Sequence, residues 1–277
     1  MRFGCLGAAL LSGFLALTAH VQGAPEAKEP VGAIEPAPIP LAVAPTPPED
    51  MPFYEWLMPE KKYWSGGVEL GVNGADGNSN TFNLRFATNA KYENERNIFK
   101  TDFLYGYANA NGEDTQNRFI WRGRYERLYP NSPWSHFIST EVEHDEFTNF
   151  DIRISGHAGC AYMFIKNDNS MVKGRLGFGG SQKFGGPDTA FRPELDFGVD
   201  FDHKLNDRSK ISGTADYFPS VLDLDTYRLE VRLAYEVIID PTYNLTLKTG
   251  LLDRYDSQPA GKRPNDISYF ATLLWKF

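Results

Sequence analysis

The strongest constraint on the fold of this chain is a strict alternation of apolar and other residues over its last nine positions. Tyr269, Ala271, Leu273, Trp275 and Phe277 occupy every second position and are all apolar or aromatic. Successive side chains of a β-strand point to opposite faces, so these five side chains share one face. The segment is therefore predicted to be a strand with one apolar side.

The same alternation recurs from residue 62 to residue 277. In the run at residues 224–239, Leu229, Val231 and Leu233 fall on one face and charged side chains fall on the other. Short segments rich in Asn, Asp, Gly and Pro separate such runs, as turns require. The pattern predicts about twelve strands, at residues 63–73, 80–93, 97–109, 115–128, 134–146, 150–165, 170–183, 191–204, 209–218, 224–239, 243–256 and 266–277.

These predicted strands are longer than the roughly 5–6 residues usual in globular sheets. They suit a tilted crossing of a bilayer, which needs about 9–11 residues per strand. We therefore expect an all-β fold in which residues 62–277 form a closed antiparallel transmembrane β-barrel. An exported soluble β protein is the alternative, because it too buries one face of each strand.

The residues before the barrel divide into two segments. Residues 1–23 have the pattern of a signal peptide, with Arg2 ahead of an uncharged apolar stretch at residues 6–17 that is too short to span a membrane. Residues 24–61 contain ten prolines, which favour extended conformations and cannot donate ladder hydrogen bonds. We expect export, cleavage of the signal peptide and a proline-rich disordered linker.

The polar faces of the predicted strands carry many charges of both signs. A soluble sandwich would leave such a face in water, whereas a barrel of about twelve strands would turn it toward a narrow lumen and its apolar face toward outer-membrane lipid. The charged residues predicted to line the lumen are Arg85, Arg122, Arg124, Glu126, Asp196, Arg228, Glu230, Arg232 and Lys248.

Phe277 has a predicted role of its own. A last strand that ends on an aromatic residue is typical of barrels in the outer membrane of Gram-negative-type cells. We expect Phe277 to act as an assembly signal that the barrel-assembly machinery recognises, and we expect the mature protein in that membrane.

Three short motifs resemble the family called domain of unknown function 481. They are the segment from Trp64 to Gly71 with Gly77-Asn78 after it, Asp145-Glu146-Phe147, and the segment from Arg254 to Ala260 with Asn265-Asp266 after it. The resemblance covers about residues 62–277 and implies an outer-membrane barrel of unsettled function. Some members of the family are called salt-induced outer membrane proteins. It supplies no catalytic residue.

Several of the motif residues are expected to cluster at one end of the barrel. Trp64 opens the first strand, and the turn residues Gly77, Asn78, Asp145, Phe147 and Asp266 would lie near the outer mouth. One interpretation is a site for a cation or solute. The other is turn chemistry, because Gly and Asn adopt positive φ and Asp accepts backbone hydrogen bonds.

The sequence has few signs of catalysis or cofactor binding. It lacks a G-x-S-x-G motif, a phosphate-binding loop and histidines at metal-ligand spacing. We expect no enzymatic activity, cofactor or metal. The net charge of −8 argues against nucleic-acid binding.

Two functions remain open at this point. The barrel could be a pore for ions or small solutes. Alternatively, it could be a non-conducting structural barrel that stabilises the envelope or docks a partner through its proline-rich leader. Substrate, oligomeric state and any response to salt cannot be read from the sequence.

Overall fold

The computed structural model describes residues 63–76, 80–259 and 263–277. They form twelve antiparallel strands in one closed barrel, in which each strand pairs with its neighbours in the chain and β12 pairs with β1. The strands are β1 Trp64–Ala75, β2 Thr81–Glu93, β3 Asn97–Ala110, β4 Glu113–Leu128, β5 Trp134–Asp145, β6 Ile152–Lys166, β7 Ser170–Phe184, β8 Arg192–Asn206, β9 Ser209–Pro219, β10 Tyr227–Asp240, β11 Leu245–Asp256 and β12 Asn265–Lys276.

The structure confirms the predicted closed barrel of twelve strands. The predicted signal peptide, the linker, Gly77 and Asn78 lie outside the described residues. Within the described ranges, no helix is long and apolar enough to cross a membrane.

The barrel has two distinct ends. β1 begins and β12 finishes at one of them, which we call the terminal end, and the connection between β1 and β2 lies at the opposite, distal end. The distal turn between β3 and β4 shows why the strands reverse where they do. Its Asn111 and Gly112 have φ angles of 54° and 85°, a combination that Asn and Gly adopt readily in two-residue hairpins.

The predicted strand boundaries lie within two residues of those in the structure, except at the start of β10. The alternation predicts a strand from residue 224, whereas β10 begins at Tyr227. Asp223 forms a local turn first, because its side chain accepts a hydrogen bond from the Thr226 hydroxyl at 2.8 Å and its carbonyl accepts one from the Thr226 amide at 2.9 Å. Asp side chains commonly compete with strand ladders in this way.

The outer face of the barrel is apolar around its middle and aromatic toward both ends. Exposed aliphatic and aromatic side chains occupy the outward positions of successive strands, including Ile138, Ile154, Leu176, Phe178, Phe197, Val199, Leu233 and Leu273. At the terminal end, outward rings contact each other in the pairs Trp64–Tyr92, Trp134–Tyr162 and Trp275–Phe277. At the distal end the corresponding contacts are Phe82–Tyr107, Tyr217–Tyr227 and Tyr227–Tyr255.

The core of the molecule lies inside the barrel and mixes apolar with charged side chains. Phe137 and Ile120 are among its most buried side chains. Phe137 fits because the facing position on β7 is Gly177, where an added Cβ would lie 2.9 Å from the ring and 3.0 Å from the Ala158 carbonyl oxygen. Side chains therefore fill the interior of the barrel around Phe137 and Gly177.

The seam between β1 and β12 is shorter than the other strand pairings. Its ladder covers Gly67–Leu70 on β1 and Leu273–Lys276 on β12. Phe277 extends it, because its amide donates to the Gly66 carbonyl at 3.0 Å and its carbonyl accepts from the Gly66 amide at 3.2 Å. The backbone of Phe277 thus contributes directly to closure of the barrel.

Gly177→Ala should lower the free energy of unfolding by about 1–3 kcal/mol, because the new methyl group overpacks the contact with Phe137. Urea unfolding of the barrel refolded in detergent micelles measures this. Gly156→Ala on β6 is the matched control, since the nearest atom to its added Cβ is 3.9 Å away. Equal losses for the two variants would contradict the packing argument.

Candidate functional site

Two ion pairs join opposite walls of the barrel. In a closed ring of twelve strands, β4 and β10 lie six strands apart in either direction, and so do β5 and β11. Nevertheless, Arg122 Nη2 on β4 lies 2.7 Å from Glu230 Oε1 on β10. Arg254 Nη1 on β11 lies 2.5 Å from Glu143 Oε1 on β5. Side chains from opposite walls therefore meet inside the lumen and together cross its full width.

These two pairs form a single connected group, which we call the septum: Arg122, Glu230, Arg254 and Glu143. Arg254 Nε lies 3.4 Å from Glu230 Oε2 and so joins one pair to the other. The strand register brings the two side chains close together, because Glu230 and Arg254 are direct cross-strand neighbours. The planar arginine fork can bind two carboxylates at once, which suits it to such a bridge.

Further charges hold each end of the septum in place. Arg122 also donates from Nε to Glu141 at 2.7 Å, and Glu141 is its direct neighbour on β5. Glu143 receives a second cation from β6, because Arg153 pairs with it. Glu143 and Arg153 are both buried, so each depends on the other for compensation of its charge.

The motif aspartates at the distal end share one arginine. Arg118 Nε donates to Asp145 Oδ2 at 2.7 Å, and its Nη2 donates to Asp266 Oδ2 at 2.6 Å. Asp145 Oδ1 also accepts a hydrogen bond from the Phe147 amide at 3.0 Å. The structure thus brings two motif residues together through Arg118 and shows turn chemistry at Asp145.

A second dense cluster lies between the septum and the terminal end. Arg175 pairs with Asp216, lies 3.2 Å from Asp200 Oδ1 and lies 3.6 Å from Asp196 Oδ1. Arg124 reaches Asp200 from β4 at 3.1 Å. Arg232 reaches Asp216 at 3.1 Å. One arginine therefore serves three aspartates, and two of these carry a second arginine.

The remaining residues predicted to line the lumen are also mostly in pairs. Glu126 accepts two hydrogen bonds from Lys173 Nζ, at 2.6 and 2.8 Å. Arg228 donates to Glu194 at 2.7 Å. Lys248 Nζ lies 2.5 Å from Glu69 Oε1.

Arg85 differs from the other lumen residues. Its guanidinium carbon lies 3.9 Å from the centre of the Phe270 ring, and among the described residues it forms no ion pair within 4 Å. Its Nε atom is buried without a hydrogen-bond partner.

A cavity of about 470 Å³ lies in the lumen beside the Arg122–Glu230 pair. Arg122 and Glu230 form part of its wall, and so do Arg85, Lys100 and Lys248. The described residues contain no group of three or more His, Cys, Asp and Glu side chains placed to hold a metal ion. The charged side chains of the cavity wall can form charge-assisted hydrogen bonds.

Several lumen residues were missed by the prediction from sequence. Glu69, Lys100, Arg118 and Arg254 were not chosen as lumen residues, although each occupies an inward position of its strand. The period of two along each strand could have identified them. Their partners could not have been found that way, because pairs across the lumen join strands that are far apart in the chain.

Glu143→Gln should lower the free energy of unfolding by about 3–5 kcal/mol, because it leaves two buried arginines without their shared carboxylate. Unfolding in urea, followed by circular dichroism of the refolded barrel, measures the loss. Asp202→Asn is the control. Its pair with Lys210 is 3.4 Å long and about one-third exposed, so we expect a loss below about 1 kcal/mol. A small loss at Glu143 would show that the septum is not tightly held.

Several solved structures are distantly similar to this chain. The KdgM porin is 11% identical, with 77% of this chain and 99% of that chain covered and a TM-score of 0.43. The COG4313 outer membrane channel from Pseudomonas putida F1 is 10% identical, with 78% and 95% covered and a TM-score of 0.44. The translocator domain of the autotransporter NalP from Neisseria meningitidis is 8% identical, with 77% and 87% covered and a TM-score of 0.41. Likenesses at this level carry no inference about function.

A search of curated proteins found no match. A family model, by contrast, covers most of the chain. The model described as "Protein of unknown function, DUF481" matches residues 68–277. This range begins within β1 and runs to the last residue. It includes the septum, Arg118 with Asp145 and Asp266, and the cavity wall. The chain belongs to the DUF481 family.

Proposed function

We propose that the protein is an outer-membrane β-barrel whose lumen is closed to free diffusion by the septum. The membrane location is supported by the outer face. Monomeric soluble proteins rarely expose contiguous apolar patches larger than a few hundred Å², whereas here exposed apolar side chains occupy outward positions on successive strands around the barrel. Aromatic contacts toward both ends match the interfacial girdles of such barrels.

The observation that carries the closed lumen is the diametric pairing of Arg122 with Glu230 and of Arg254 with Glu143. A conducting pore keeps part of its charge in contact with water and permeating ions. Here the septum charges neutralise one another at 2.5–2.7 Å. Separating such a pair in a confined space would leave two poorly hydrated charges, which is costly. The charges therefore serve to crosslink the walls.

A small-solute or ion pore is the second candidate. The cavity of about 470 Å³ favours it, because this part of the lumen can hold a small solute. Passage would additionally require Arg122 and Glu230 to separate. Docking of a partner through the proline-rich leader remains a proposal that depends on residues outside the described structure.

Wild-type barrel in planar bilayers should give no stepwise current at high protein load. Arg122→Gln combined with Glu230→Gln should produce measurable single-channel steps, because the double variant removes one of the two diametric pairs. Recording in planar bilayers measures both.

The control for this experiment removes an ion pair that lies outside the septum. Arg192 and Asp188 are 3.4 Å apart, and Asp188 is largely exposed, so Arg192→Gln with Asp188→Asn should stay silent. Stepwise currents from the wild type would overturn the closed lumen and support the pore. Silence of the septum double variant would show that other side chains close the barrel.

We also propose that the Phe277 side chain is recognised by the barrel-assembly machinery. Phe277→Asp keeps the backbone hydrogen bonds to Gly66, so we expect a several-fold lower level of assembled barrel in the outer membrane with little change in the urea midpoint of refolded protein. Fractionation and heat-modifiability on gels measure assembly. Tyr243→Asp, at an exposed turn of the same end, is the control. Normal assembly of Phe277→Asp would refute this role.

A further inference from the structure

The inner wall carries three cations side by side near the terminal end. Lys91 on β2 is the direct cross-strand neighbour of Lys100 on β3, and Lys100 is the direct neighbour of Arg124 on β4. Like charges placed directly opposite each other in a sheet are destabilising. This arrangement therefore needs a compensating partner.

The outer two cations of this row have partners in the protein. Lys91 pairs with Glu93, and Arg124 lies 3.1 Å from Asp200 Oδ2. Lys100 is half-buried and, among the described residues, has no carboxylate within 4 Å of its amine. Its charge stands between two others of the same sign without a counter-charge of its own.

Each carboxylate of the cavity wall already lies within 4 Å of an Arg or Lys nitrogen other than that of Lys100. Asp200 binds Arg124 and Arg175, whereas the more exposed Asp102 and Asp202 lie near Arg122 and Lys210. The same holds for the other acidic groups of the wall, Glu69, Glu141, Asp196, Asp216, Glu230 and Glu236.

The cavity wall carries nine carboxylates and eight Arg and Lys side chains, and two of these cations have no ion pair within 4 Å among the described residues. Lys100 is one of these cations, and Arg85 is the other. Arg85 is partly satisfied by the Phe270 ring, so Lys100 is the stronger point of attraction. The adjoining volume of about 470 Å³ accommodates a small molecule.

We propose that this cavity binds a small oxyanion, a carboxylate or a phosphate, with Lys100 as its principal ligand. The anion would complete the charge balance of the row formed by Lys91, Lys100 and Arg124. Lys100 supplies a compact ammonium with three donors, which can direct a hydrogen bond to an oxyanion while the side chain remains in the cavity wall. This site goes beyond the closed barrel, because Lys100 lies in the cavity wall and is not a member of the septum.

The proposal has a stability signature that a merely structural lysine would not show. Replacing Lys100 with Gln removes like-charge repulsion and breaks no ion pair between described residues. We expect Lys100→Gln to be at least as stable as the wild type in chloride. Phosphate should stabilise the wild type over chloride at equal ionic strength, because a ligand that binds only the folded state raises its stability, and this gain should be lost in the variant.

The experiment uses the whole chain refolded in detergent micelles, with inorganic phosphate as the probe. Equilibrium dialysis with labelled phosphate gives the dissociation constant, and thermal unfolding in phosphate against chloride gives the stabilisation. We expect the wild type to bind phosphate, Lys100→Gln to bind at least fivefold more weakly, and Lys100→Arg to retain binding. Lys166→Gln is the matched control, because Lys166 is exposed and is not part of the cavity wall.

The outcomes separate clearly. Weakened binding in Lys100→Gln, with normal binding in Lys166→Gln, supports the site. Equal dissociation constants for the wild type and Lys100→Gln overturn it, and so does an absence of phosphate binding by the wild type at 50 mM, a concentration of about the order at which millimolar sites saturate. If Lys100→Gln does not refold, Lys100→Met replaces it in the same comparison. None of these results depends on conductance or on membrane location, which are tested separately.

Discussion

The structure depends on ion pairs that compensate most of the charges inside the closed barrel. A charge removed from water costs several kcal/mol unless it is paired and hydrogen-bonded. The strands place Arg and Glu or Asp on the same inward face, and closure of the ring brings faces from opposite walls together. Arg122, Arg254 and Arg175 each bind more than one carboxylate. The lumen is consequently a network whose members hold one another in position.

Much of this fold follows from local pattern. The period of two along each run predicts the twelve strands, and turn residues such as Asn111 and Gly112 predict where they reverse. The face of each residue also follows from that period, so the inward placement of Arg122 or Glu230 needs no tertiary information. The largest difference in a strand boundary, at Tyr227, arises where the Asp223 side chain forms its own turn and competes with the ladder.

The partners across the lumen do not follow from local pattern. Arg122 meets Glu230 only because the barrel closes with β4 opposite β10, and the tilt of the strands decides which inward residues share a level. The same reasoning explains why Lys100 was missed. An unpaired cation is defined by what surrounds it in space, and its neighbours Lys91 and Arg124 lie on other strands.

The septum joins residues that are far apart in the chain, and this separation affects the lifetime of the folded protein. Arg122 and Glu230 are 108 residues apart, so their contact forms only after the intervening strands have paired. Interactions that are absent from the folding transition state slow unfolding and leave the rate of folding nearly unchanged. We therefore expect the septum to slow unfolding and so to give the assembled barrel a long half-life, without raising the rate of folding.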